Sequence, residues 1–291
     1  MSGIPSNGKI FVRIAPYAKA VTSYALSQTT LKHLPAPPSR LWIYTNFDCN
    51  LACTYCLTSS SPTANRRALP LGAYFQLIDE AVTAGFDEVF LTGGEPFLLP
   101  DIFEKLTYAA ERLPTTVLTN GMLLKGQRLE LLRALSYLPL TLQVSLDGHV
   151  AEIHDEYRGA GSWAATAAAI RSVRAEGFRV TIGATETPVN AAHTDELRAF
   201  VRELGIPEQG FFLRPLTKRG FSHEGIEVRA EDVAPELTVT AEGVFWHPQS
   251  AGEAMLLSRD IFPLRNAVDL MQTNLEVIVA GGPVPRRYRC G

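Results

Sequence analysis

From Leu41 to Leu216 short apolar runs alternate with amphipathic stretches, and this rhythm constrains the fold more than any other feature of the chain. The strand-like runs are Leu41 to Asn46, Glu88 to Thr92, Thr116 to Thr119, Leu140 to Leu146, Phe178 to Ala184 and Phe211 to Leu216. Between the first two, Leu71, Tyr74, Phe75, Ile78, Ala81 and Val82 fall on one helical face that Gly85 stops. Similar faces lie near Ile102 to Leu113, Leu124 to Leu138, Trp163 to Glu176 and Thr194 to Leu204. Strands that recur roughly every 25 to 35 residues with helices between them are the βαβ pattern of a parallel sheet. Periodicity alone leaves open whether that sheet closes into a barrel.

Outside this core the rhythm changes. Residues 1–40 hold one strand-like run, Ile10 to Ile14, and end in the stiff segment Pro35-Ala36-Pro37-Pro38, so they read as an extension and linker. Residues 41–216 form the core. Residues 217–291 read as a small separate subdomain: a hairpin of Leu237 to Thr240 and Val244 to His247, a helix near Pro263 to Gln272, and a last strand at Leu275 to Ala280.

Lysine and arginine total 27 against 30 aspartates and glutamates, so no basic excess exists to neutralise a nucleic-acid backbone. No run reaches the ~18 apolar residues of a membrane span, and the N-terminus lacks a signal-like apolar segment. A cytoplasmic protein that binds neither nucleic acid nor membrane is expected.

Three of the four cysteines crowd into Cys49-Asn-Leu-Ala-Cys53-Thr-Tyr-Cys56. A secreted disulfide framework would spread its cysteines, so this cluster points to metal or redox chemistry. Structural zinc takes four ligands. Cys290 is far off, and no histidine falls between Cys56 and His149. Three thiolates suit a [4Fe–4S] cube with one iron left open for a small molecule. A zinc site completed by a distant histidine is the alternative.

With this C-x3-C-x2-C spacing and the aromatic Tyr55 before the last cysteine, the chain resembles the radical S-adenosylmethionine (radical SAM) enzymes. Thr92-Gly93-Gly94-Glu95-Pro96 after the second strand is similar to the family's GGEP segment. Gly93 and Gly94 would let backbone approach a ligand, and Glu95 offers a carboxylate to a cationic amine. The resemblance implies an α/β fold, a partial (β/α)6 barrel followed by a small C-terminal α+β subdomain. It also implies two cofactors, a [4Fe–4S] cluster on Cys49, Cys53 and Cys56 and S-adenosylmethionine (SAM) on its open iron. A reductant of flavodoxin or ferredoxin type would supply the electron.

Asn120, Ser145, Asp147, Arg158 and Asn190 match the family's cofactor-binding positions less specifically. Arg158 is the residue that would pair with the SAM carboxylate; a surface salt bridge is its other reading. Asn120, Ser145 and Asp147 read equally well as turn or cap residues. The cysteines, Glu95, Asn120, Ser145 and Arg214 all fall at or just past strand C-termini, the ligand-binding edge of parallel α/β folds.

The tail is similar to the SPASM or twitch extension that carries auxiliary clusters in many such enzymes, yet the expected cysteine ligands are replaced by Phe245-Trp246-His247-Pro248. It therefore reads as a cluster-less cap. Cys290 has two readings: a free thiol near the chain end, or a catalytic hydrogen-atom donor to a substrate radical. The Arg286-Arg287-Tyr288-Arg289 run reads as a solvated end or an anion site.

The resemblance implies reductive cleavage of SAM to a 5′-deoxyadenosyl radical that abstracts hydrogen from the substrate, with dehydrogenation, epimerisation or rearrangement to follow. Only about forty residues precede the core, too few for a cobalamin or leader-peptide-binding domain. The expected substrate is thus a small biosynthetic intermediate, with peptide modification as the alternative. A non-catalytic iron–sulfur sensor explains the cysteines but leaves Glu95 and Arg158 unexplained.

Overall fold

The computed structural model describes residues 40–229, 233–250 and 252–281, all within the unit Ala36–Gly291. Ile10 to Ile14, the Arg286-Arg287-Tyr288-Arg289 run and Cys290 lie outside the described residues.

Six parallel strands follow one another in space as in sequence: β1 (Arg40–Asn46), β2 (Glu88–Gly93), β3 (Thr115–Thr119), β4 (Leu140–Ser145), β5 (Arg179–Glu186) and β6 (Phe211–Pro215). The helices joining them are α1 (Leu71–Ala84), α2 (Ile102–Ala110), α3 (Gln127–Arg133), α4 (Ala151–Arg158), α5 (Ser162–Ala175) and α6 (Thr194–Glu203). Gly85 ends α1 in the left-handed conformation, at φ 83°, with its N–H on Ala81 and Val82 carbonyls.

Strand alternation sorts the core into two surfaces. Leu41, Ile43, Val89, Leu91, Val117, Leu142, Val144 and Ile182 pack with the apolar faces of the helices. Trp42 and Phe90 form a separate cluster with Leu118. The register sets Leu118 beside Gln143 and Gln143 beside Thr181, then Ser145 beside Gly183, and Thr185 beside Arg214. The inner surface thus turns from apolar to polar toward the strand C-termini.

The tail does not stand apart. β7 (Thr238–Thr240) pairs in parallel with β1, and β8 (Gly243–Phe245) and β9 (Leu256–Ser258) continue the same nine-stranded sheet. The sheet therefore runs across the division expected at residue 216, and the tail covers an edge that β1 would otherwise expose. Trp42 Nε1 donates to Glu236 Oε2 at 2.5 Å, and Tyr44 donates its hydroxyl to the Pro248 carbonyl.

The strand expected at Leu275 to Ala280 is instead the end of α7 (Leu264–Gly281). Val277, Ile278 and Val279 carry strand propensity, but Leu264, Ala267, Val268, Met271 and Leu275 recur at helical spacing and are buried. Packing wins over local propensity. Helix α4 and strand β9 were not foreseen: the eight residues of α4, most of them charged or polar, and the three of β9 give little periodic signal.

Candidate active site at the strand C-termini

One cavity opens at the C-terminal ends of β1 to β6. Its walls bring together Cys49, Cys53, Tyr55, Cys56, Gly93, Gly94, Glu95, Asn120, Ser145 and Arg158, along with Thr185, Arg214, Pro248 and Gln249. Counting its open mouth it measures about 1160 Å³.

The three cysteines are free thiols of intermediate exposure. Donors already point at their sulfurs: Leu51 N–H and Asn120 Nδ2 toward Cys49 Sγ at 3.4 and 3.8 Å, and Ser60 N–H toward Cys56 Sγ at 3.3 Å. Burial pushes the Cys49 thiol up to about 12 and Cys53 to about 11. Such thiols ionise only when metal displaces their protons. Among the described residues no three His, Cys, Asp or Glu groups converge on a single ion. A cube offers each thiolate a different iron and needs no such convergence, so three thiolates fit a [4Fe–4S] cluster.

Gly93 and Gly94 are required by close packing of backbone on backbone. A Cβ on Gly93, at φ 123°, would sit 2.2 Å from the Asn46 carbonyl oxygen, and one on Gly94 would sit 2.0 Å from that of Asp48. The glycines thus let the end of β2 pass against the start of the cysteine loop. Gly94 N–H and Glu95 N–H donate to Asn46 and Asp48 carbonyls at 2.7 and 3.0 Å, while both glycines still line the cavity.

Glu95 is buried and organises this edge. Its Oε1 accepts from Phe97 N–H at 3.1 Å and the Thr119 hydroxyl at 2.8 Å; Oε2 accepts from Asn120 N–H at 2.8 Å. A carboxylate has about four lone-pair sites, so one on Oε2 stays available to a ligand amine. Burial pushes its pKa to about 7 despite those donors, a cost that a cationic partner would relieve. Asn120 completes the link to the cysteines, donating to Asn50 Oδ1 at 2.8 Å.

Arg158 lines the cavity from the end of α4 and pairs with Asp147, Nε to Oδ2, at 2.5 Å. Both are buried, so the pair is no surface salt bridge. Asp147 Oδ1 also accepts from Thr185 N–H at 2.8 Å, and Tyr55 donates its hydroxyl to Oδ2. Burial alone would raise the Asp147 pKa, but the Arg158 charge and hydrogen bonds hold it below the usual carboxylate range. Asp147 and Asn190 stand behind the wall and not in it. Asn190 uses its side chain internally: Nδ2 donates to Asp147 and Thr185 carbonyls at 2.9 and 2.8 Å, and Oδ1 accepts from Thr187 N–H at 2.7 Å. Ser145 lines the cavity from the end of β4.

Asn46 was missed by sequence reading. Its Nδ2 donates to the carbonyls of Asp48 and Glu95 at 2.8 and 3.1 Å, joining the cysteine loop to the GGEP segment. The available signal was a fully buried amide at the end of an apolar strand. Gln249 was missed as well, since nothing local ties residue 249 to the barrel mouth.

These features define a protein whose parallel half-barrel holds a thiolate-ligated cluster and a small cofactor at its strand ends. The chain belongs to the Radical SAM superfamily, whose family profile matches residues 43–201. The family uses a [4Fe–4S] cluster and SAM. Among curated relatives it is similar to the AdoMet-dependent heme synthase of Methanosarcina barkeri, with 35% identity over 59% of this chain and 49% of that protein. It shares 32% identity with the mycofactocin maturase MftC of Mycobacterium tuberculosis, over 88% of this chain and 65% of that protein. It shares 30% identity with the PqqA peptide cyclase of Gluconobacter oxydans over 59% and 48%. The chain thus spans about half to two thirds of these relatives' lengths. Its fold is similar to that of native anSMEcpe with bound AdoMet and Kp18Cys peptide, at a TM-score of 0.65 and 16% identity over 83% and 84% of the two chains. Among the described residues no helix is long and apolar enough to cross a membrane.

Proposed function

We propose that this radical SAM enzyme modifies a peptide, in the manner of ribosomal peptide maturation, and not a small biosynthetic intermediate. The observation that carries this reading is the extent of the match to MftC. It takes in 266 residues, 88% of the chain, and so continues past the barrel into the tail. The match to the heme synthase takes in 175. The small-molecule expectation drew on how little chain precedes the core, which is no argument about the substrate.

In this reading Cys49, Cys53 and Cys56 hold the cluster, and the free face of Glu95 and the Arg158 guanidinium hold the polar end of SAM. Bound there, the two groups supply one-electron, hydrogen-abstracting chemistry. Asp147 fixes the direction of Arg158, Tyr55 and Thr185 fix Asp147, and Asn46 and Asn120 fix Glu95 and the cysteine loop. Trp42, Phe90 and Leu118 keep water from the closed end of the barrel. Pro248 and Gln249 cover part of the mouth and leave a substrate to enter beside them. A flavodoxin- or ferredoxin-type protein would be the reductant.

The test uses the reconstituted chain under argon with SAM and dithionite, to which an extract of the source organism is added. Peptide modification predicts that the extract raises 5′-deoxyadenosine formation and that protease treatment of the extract abolishes the rise. A rise that survives the protease overturns the peptide reading in favour of a small metabolite.

A further inference from the structure

A second recess adjoins the main cavity across Tyr44, Leu57 and Thr58, and nothing in the chemistry above uses it. Phe47, Ser59, Arg67, Arg219, Gly220 and Glu242 complete its lining. Three observations single it out.

The first is charge. Arg67 is paired with Glu242 at 2.8 Å. Arg219 has no ion pair or side-chain hydrogen bond among the described residues, although it is partly buried. The recess therefore carries one uncompensated positive charge. Burial pulls the Arg219 pKa down, against a smaller opposing effect of Tyr44; the group sits where an anion would offset its desolvation.

The second is backbone strain. Among the described residues only Ser59 and Arg67 are non-glycine positions with positive φ, at 53° and 43°, and both line this recess. Such conformations are strained for residues with a side chain and gather at ligand sites.

The third is location. Gly220, at φ 63°, presses on the cysteine loop so closely that a Cβ would lie 2.1 Å from the Cys56 carbonyl oxygen, and Phe221 N–H donates to that same oxygen at 3.0 Å. The Arg219 guanidinium is seated over Gly252, whose added Cβ would meet Nη2 at 2.3 Å. The loop that presents Arg219 is thus anchored to the last cluster cysteine.

We propose that this recess is a carboxylate-binding subsite in which Arg219 holds an anionic group of the substrate beside the reacting centre. A guanidinium suits a carboxylate through paired N–H donors. The proposal rests on the peptide reading for the source of that carboxylate, an acidic side chain or the peptide C-terminus.

The test is protection from phenylglyoxal, which modifies accessible guanidinium groups. The cluster- and SAM-loaded chain is treated alone and with N-acetylglutamate α-amide, N-acetylalanine, glutarate or N-acetylglutamine α-amide, and modification at Arg219 is mapped by mass spectrometry. Arg265, exposed on α7, serves as the internal control. The subsite predicts that Arg219 reacts in the free protein and is protected several-fold by the carboxylates, without change at Arg265 and without protection by the glutamine amide. Stronger protection by the glutamate compound assigns an acidic side chain; stronger protection by N-acetylalanine assigns a chain terminus. Glutarate acting as well as either upholds the subsite and removes the peptide reading. The proposal is overturned if no carboxylate protects Arg219, or if the glutamine amide protects it equally.

Discussion

The Nε of Arg158 lies 2.5 Å from Asp147 Oδ2, with both side chains almost wholly withdrawn from solvent. This pair joins the turn after β4 to the last residue of α4 and fixes one wall of the cofactor cavity. Removing one partner of a buried pair strands the other charge and costs about 3–5 kcal/mol. Asp147→Ala should therefore lose about that much stability in denaturant unfolding of the cluster-free chain. Because the folded Asp147 pKa lies below its unfolded value, its contribution is present above pH ~4 and fades as pH falls further. A loss under about 1 kcal/mol at neutral pH would mean that solvent screens the pair.

Glu95 has the opposite sign. Its folded pKa, about 7, exceeds its unfolded value near 4.5, so the folded chain holds more protons in that interval and stability falls as pH rises from 4.5 to 7. Integrated, the effect is about 3 kcal/mol. Glu95→Gln should remove this slope in cluster-free protein, and wild type and variant should then show parallel profiles above pH 7. Equal slopes between pH 4.5 and 7 would contradict the burial argument.

Two glycines give a matched contrast. Gly94→Ala places a Cβ 2.0 Å from a backbone carbonyl that cannot yield without moving the cysteine loop. It should cost about 3 kcal/mol or more and lower iron incorporation per chain. Gly72→Ala, in α1 with nothing within 4 Å, should stabilise by roughly 0.5–1 kcal/mol and leave iron content unchanged. Thermal unfolding and iron assay together separate the two.

The Trp42 indole N–H is buried on Glu236 Oε2. Glu236→Ala should leave it without that acceptor and cost about 1–3 kcal/mol, read by denaturant unfolding. Glu236→Gln, which restores an acceptor oxygen, should recover most of the loss.

What could be read from the sequence follows from how locally each feature is encoded. The cysteine triad and Gly93-Gly94-Glu95 are contiguous, and the alternating rhythm placed both at strand ends, so the heart of the site was legible. Strand position did not reveal side-chain direction. Asp147 and Asn190 stand at strand ends like Ser145, yet they face the frame behind the cavity. The crowding that requires Gly93 and Gly94 was hidden too, since the crowding atoms belong to Asn46 at the end of β1 and Asp48 just past it. Gln249 reaches the cavity region through the pairing of β7 with β1, a contact between residues some two hundred positions apart, and Arg219 because its loop packs on the Cys56 carbonyl. The helical end of α7 was obscured by a β-branched run whose propensity its packing overrode.

The central claim is that Cys49, Cys53 and Cys56 hold a cluster that cleaves SAM inside this cavity. Its most direct test is anaerobic: reconstitute the chain, reduce it with dithionite, add SAM, and quantify 5′-deoxyadenosine beside a Cys53→Ala control. The account predicts 5′-deoxyadenosine from the wild type and only background from the variant. Equal amounts from both, or none from a wild type shown to carry its cluster and bound SAM, would contradict it.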